Sequence, residues 1–97
     1  DEHAADSDEP ELEKTNDGTW TAEGRVDIEQ LELECGRFLT DDERADVDTL
    51  GGLIFYLAGR VPGRGEVITH SSGISFEILD ADPRRVNRVL VSTPLIT

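Results

Sequence analysis

Between Thr49 and Gly59 the apolar positions follow a helical period. Leu50, Leu53, Ile54, Leu57 and Ala58 fall at i, i+3, i+4, i+7 and i+8, which is one buried face of an α-helix. Asp48 or Thr49 supplies a side-chain oxygen for the first-turn amides, and Gly59 followed by Pro62-Gly63 ends the helix. Gly51 and Gly52 lie inside its first turns, where each costs about 1 kcal/mol of helix propensity against Ala. Two such residues predict that another backbone approaches closely there. Phe55 and Tyr56 project away from the Leu50–Leu53–Leu57 line, so they either widen the buried stripe or remain as an exposed apolar strip.

A shorter helix is predicted in VDIEQLELECG, where Ile28, Leu31 and Cys35 share a face. Asp27 and Gln30 have capping-box spacing, Val26 and Leu31 that of a hydrophobic staple, and Gly36 is the stop. Thr40 and Glu43 repeat the capping-box spacing, which allows one further helical turn after Phe38 and Leu39 tuck into the core. Past Pro62 the apolar period becomes two. EVITH (66–70) and ISFEIL (74–79) read as strands joined by Ser71-Ser72-Gly73. Ala81-Asp82-Pro83 turns the chain into a last strand over 85–93, whose Val86 is out of phase with Val89 and Val91. A bulge near Asn87-Arg88 restores the phase. At the other end Asp17-Gly18 is a turn before a short strand over 19–22, with Trp20 anchoring one edge of the core. Gly24 is expected to need an unusual backbone conformation. The predicted order is β-α-α-β-β-β: a two-layer α+β domain, an antiparallel sheet with two helices on one face.

Composition narrows the function. Ninety-seven residues make one domain with a modest core and no room for a large catalytic cleft. The net charge is −13, and residues 1–48 hold 18 acids against 4 bases. Such a surface repels phosphate backbones, so nucleic acid is not an expected partner. Residues 1–17 carry eight acids and one large aliphatic residue, Leu12, and are expected to be a disordered linker or tail, with the domain proper at 18–97. No apolar run approaches 18 residues and no signal-peptide pattern is present, so direct membrane insertion by this stretch is not expected. Starting at Asp1 rather than Met, it is expected to be a piece of something longer. The single Cys35 excludes an intrachain disulfide and fits a reducing compartment.

Candidate chemistry is sparse. Asp41, Asp42, Glu43, Asp46 and Asp48 form an oxygen-rich cluster of the kind hard cations prefer, but acids before a helix also suit its dipole, and their spacing matches no calcium loop. The structural reading is preferred. His3, Cys35 and His70 are scattered singly, without ligand-pair spacing for zinc or copper, and His70 at a hairpin end is expected to be solvated. Cys35, on an apolar helix face, reads as an inert small hydrophobe. Ser71 and Ser72 lie in a turn outside any G-x-S-x-G. No enzymatic activity and no cofactor are expected. Arg60 and Arg64 flank Gly63 and Gly65 and are weak candidates for an anion or nucleotide. However, helix leads into strand here, the reverse of a phosphate loop. Arg84, Arg85 and Arg88 make a second basic cluster, read as a solvated strand edge.

Several pieces, taken in order, carry a resemblance: Gly18-Thr19-Trp20, Gly24-Arg25-Val26, DTLGGL (48–53), Gly59-Arg60-Val61-Pro62 with Gly65-Glu66, GISFEILDAD and RRVNRVLV. From about Gly18 to Val91 the chain resembles the CorC/HlyC transporter-associated domain, the last cytosolic module of CorC-type magnesium and cobalt efflux proteins and of chains called hemolysins. It departs from that family in its long acidic lead-in and in Gly51, where the family often has a small side chain. The resemblance implies a preceding membrane module and a pair of CBS domains, with the acidic segment as linker. It implies a regulatory role in ion transport at the cytoplasmic face of the cell membrane, with no established catalytic residues. The partners implied are the neighbouring CBS and membrane domains, with a homodimer as a further candidate. Two functions stay open: an accessory domain working by protein contact, or a sensor of a small molecule or nucleotide-like anion held by Arg60, Arg64 or nearby amides.

Overall fold

Alternating apolar residues on its three central strands turn one face of an antiparallel sheet toward the core. The computed structural model describes residues 10–94. Its strands are β1 (Leu12–Asn16), β2 (Thr19–Glu23), β3 (Val67–Thr69), β4 (Ser75–Ala81) and β5 (Val86–Ser92), in spatial order β1-β2-β5-β4-β3. Trp20 and Ala22 of β2, Phe76 and Ile78 of β4, and Val86, Val89 and Val91 of β5 are buried together. In register, Phe76 faces Val91 and Ile78 faces Val89, while Trp20 faces Val91 and Ala22 faces Val89 from the other side. The phase problem in β5 is solved as expected. Leu79 is extra on β4 and Asn87 on β5, so Val86 opposes Ala81 and turns inward again.

Three helices lie between β2 and β3: α1 (Ile28–Cys35), α2 (Asp41–Asp46) and α3 (Leu50–Ala58). Ile28, Leu31, Leu50, Leu53 and Ile54 join the buried face of the sheet in one cluster, which is the α+β architecture the periodicity predicts. Leu53 and Ile54 have no solvent exposure, so Leu53→Ala or Ile54→Ala is expected to cost about 2–5 kcal/mol in a denaturant titration.

The helix ends show which cap signals operate. Thr49, not Asp48, caps α3, accepting from the Gly52 amide at 3.1 Å, and Gly59 ends it in the left-handed region with φ 76°. Thr40 and Glu43 form the full reciprocal capping box on α2. Asp27 stands at the cap of α1 but makes no side-chain cap bond, so the expected box with Gln30 is absent. The start of α1 is held by tertiary contact instead, the Ile28 amide donating to the Asp48 carbonyl at 2.9 Å.

Three further expectations need correction. Leu12–Asn16 is an edge strand rather than part of a solvated tail: it pairs with β2, and half-buried Leu12 packs against the core. A single aliphatic residue gave little sign of this, because the pairing uses backbone. The expected disorder of residues 1–9 lies outside the described residues. Gly24 has no positive φ; its requirement is space. His70 is buried, with 2% of its surface exposed, where a solvated hairpin end was expected.

Candidate functional site

The first turn of α3 crosses the chain after β2 with no side chain between them. The Gly51 amide donates to the Gly24 carbonyl at 2.7 Å, and the Leu50 amide to Val26 at 2.9 Å. A Cβ on Gly51 would lie 3.0 Å from the Gly24 carbonyl oxygen. This is the close approach that the paired glycines predicted for Gly51; a Cβ on Gly52 would instead meet the cap oxygen of Thr49 at 3.2 Å. The amides of Leu50, Gly51 and Gly52 are all taken by protein acceptors, so the start of α3 has no free first-turn donors for an anion.

The missing side chains leave a trough of about 350 Å³ outside the crossing. Gly24, Gly51 and Gly52 line it together with Phe55 and Val61 on the α3 side and Arg25, Arg84 and Arg85 around the rest. Asp82 shapes the β4–β5 turn by accepting from the Arg84 amide at 2.8 Å and the Arg85 amide at 3.0 Å, bonds that hold its carboxyl below its ordinary range. Arg25 lies against Glu23 through its Nε at 2.9 Å. Beside the trough, the outward face of α3 leaves Phe55 53% and Tyr56 45% exposed.

The sequence-predicted site residues do not converge. Arg60 forks onto Glu66 at 3.0 and 2.6 Å, and the Gly63 amide adds a 2.7 Å bond to the same carboxylate. The Arg60 fork, then the amide, holds Glu66 down to about 2. Arg64 is exposed in the same turn. Asp41, Asp42 and Asp46 are exposed along α2 and Asp48 is exposed beyond it, while Glu43 turns inward. Among the described residues no three His, Cys, Asp or Glu side chains gather closely enough to hold a metal ion. Arg88 pairs with Glu11, tying the residue just before β1 to β5 across β2. Burial, with Glu34 adding to it, pushes the Cys35 thiol up to about 11, far from a reactive thiolate.

Two buried polar links are new. His70 Nε2 lies 2.8 Å from Glu43 Oε1, and its Nδ1 accepts from the Ser72 amide at 2.9 Å. With Nδ1 accepting from that amide, Nε2–H is the ring donor that faces Glu43. Burial would raise the Glu43 carboxyl, but the bonds from His70 and from the Thr40 amide outweigh it, and the group sits below its ordinary range. Phe38 packs edge-on against the ring at 5.2 Å. Ser72 Oγ is 2.9 Å from Nδ1, so Ser72, His70 and Glu43 form a line. Ser72 is an exposed turn residue outside the lining of the described cavities, so the line reads as a structural clasp between α2 and the β3–β4 hairpin. The second link joins α1 to α2. Buried Glu32 accepts a fork from Arg44 and bonds from the Phe38 and Leu39 amides at 2.9 and 3.1 Å. Neither link has a local sequence signature, since the partners are 27 and 12 residues apart.

Fold and surface define a small α+β module with open troughs and exposed aromatic residues. The model of the CorC/HlyC transporter associated domain matches residues 13–94, and the chain belongs to that family. It is 36% identical over 92 residues to the "Possible hemolysin C" of Rickettsia bellii (strain OSU 85-389), covering 95% of this chain and 30% of that protein. It is 34% identical over 89 residues to the "Magnesium and cobalt efflux protein CorC" of Escherichia coli (strain K12), covering 92% of this chain and 29% of that protein. The chain thus spans about a third of the length of these relatives. The solved "Transporter associated domain CorC_HlyC from Nitrosomonas europaea" superposes with a TM-score of 0.73 at 30% identity, over 86% of this chain and 95% of that one. No helix among the described residues is long and apolar enough to cross a membrane.

Proposed function

We propose that this is a non-catalytic regulatory domain of a magnesium/cobalt efflux-type membrane protein. It lies at the cytoplasmic face and acts by contact with the CBS and membrane domains of its own polypeptide. The observation that carries this reading is the outward face of α3. Phe55 and Tyr56, two of only five aromatic residues in the chain, are adjacent and about half exposed on a helix whose opposite face is buried in the core. Aromatic residues on a rigid support are what contact surfaces use, because they bury area at low entropic cost. The sensor reading through Arg60 and Arg64 has less support, since Arg60 already pairs with Glu66.

Tyr56→Ser is expected to weaken binding of the isolated domain to the remainder of its protein by about tenfold, the effect of a moderate interface residue. Its melting temperature is expected to stay close to that of the wild type, because the ring is not in the core. Unchanged affinity in a pull-down or calorimetric titration would remove the reading.

A further inference from the structure

The trough beside α3 has an unusual composition for this chain. Acids outnumber Lys and Arg by 22 to 9 overall, yet the trough is lined by Arg25, Arg84 and Arg85 and by no carboxylate. Arg84 and Arg85 are exposed and make no ion pair among the described residues. Their turn is held by Asp82 through backbone amides, which leaves both guanidinium groups available. A second cavity shares Gly24, Arg25, Arg85 and Val86 with the trough but mixes its arginines with the acids Glu23 and Asp80, so of the two only the α3-side trough lacks a carboxylate in its lining. Phe55 forms an apolar wall of the same trough.

We propose that this trough is the docking site for an acidic peptide segment of a neighbouring domain, whose carboxylates pair with the unpaired Arg84 and Arg85 while an apolar residue covers Phe55; Arg25, at the same trough, is already held by Glu23. The proposal deepens the contact reading above and rests on it. A polypeptide fits this trough better than a compact phosphate. Phosphate sites at helix starts use converging backbone amides, and here those of Leu50, Gly51 and Gly52 are already bonded within the protein. What remains is the side-chain charge of Arg84 and Arg85 with the apolar wall of Phe55 in one open trough, a combination that matches a peptide carrying both carboxylates and an apolar residue.

The test uses short fluorescein-labelled peptides tiled across the polypeptide that carries this domain, titrated with the domain and followed by anisotropy. Acidic tiles containing an apolar residue are expected to bind, and to weaken as salt is raised. Arg84→Ala with Arg85→Ala is expected to weaken them about tenfold, as loss of interface charge pairs does. Both side chains are exposed, so the melting temperature is expected to hold; Phe55→Ala, at the apolar wall, provides an independent second variant. Binding confined to neutral or basic tiles, equal binding by the arginine variant, or no binding by any tile would overturn the proposal. Displacement of a bound tile by inorganic phosphate at matched ionic strength would also overturn it, by showing a small-anion site. If Tyr56→Ser weakens binding to the remainder of the protein while the arginine variant is silent, the contact reading survives and the trough assignment falls.

Discussion

Gly24→Ala is expected to be the most damaging single methyl group that can be added to this domain. The new Cβ would lie 2.1 Å from the Val86 carbonyl oxygen and 3.8 Å from the Gly51 Cα. Both neighbours are backbone. Val86 belongs to a central strand, and the Gly24 amide and carbonyl are bonded to Asn87 and Gly51 at 3.0 and 2.7 Å. No side-chain rotation relieves such a contact, so β5 or the start of α3 must move. A loss of about 3 kcal/mol or more is expected, at the upper end of what overpacking usually costs. Gly52→Ala is the control. Its Cβ meets only the Thr49 cap oxygen, at 3.2 Å, and the gain in helix propensity offsets strain there, for a net change within about 1 kcal/mol. Urea titration of both variants tests this. Similar midpoints for the two would show that the crossing is looser than its distances indicate.

Stability is expected to fall steeply as acid reaches Glu32. Burial works against its charge, but the Arg44 fork and the Phe38 and Leu39 amides prevail and bring its carboxyl from 4.5 down to about 2. A carboxyl depressed in the folded state stabilises fully above its unfolded value. That stability is lost as pH falls from about 4.5 through about 2. At about 1.4 kcal/mol per pH unit the contribution is on the order of 3 kcal/mol, and little is lost to solvent screening because the side chain is 5% exposed. Glu43 contributes in the same direction. Glu66 has a similar depression but is much more exposed, so its pair with Arg60 adds little. Glu32→Gln removes the charge and keeps the shape. It is expected to lower stability at neutral pH and to flatten the dependence below pH 4.5, seen in thermal melts across that range. Parallel wild-type and variant curves would show that the acid sensitivity arises elsewhere.

Where a feature is local, the amino-acid sequence determined it. The buried face of α3, its stop at Gly59, the Thr40–Glu43 box, the β3–β4 hairpin and the bulge at Asn87 each follow from residues a few positions apart, because helical and extended periods and turn geometry act over that range. The family resemblance rested on the same short pieces in the same order, and its match over 13–94 extends it to include most of β1. Tertiary structure decided the rest. Leu12–Asn16 is a strand because β2 offers it a free edge, and backbone pairing leaves no side-chain pattern to read. His70 is buried because Glu43, 27 residues earlier, lies opposite to accept its hydrogen bond; without that acceptor the exposed hairpin end was the better expectation. The arginine trough needed the fold most. Arg25 and the Arg84–Arg85 pair are far apart in sequence and come together only where Gly24, Gly51 and Val86 let two backbones touch, so what looked like a solvated strand edge became one wall of a candidate binding surface.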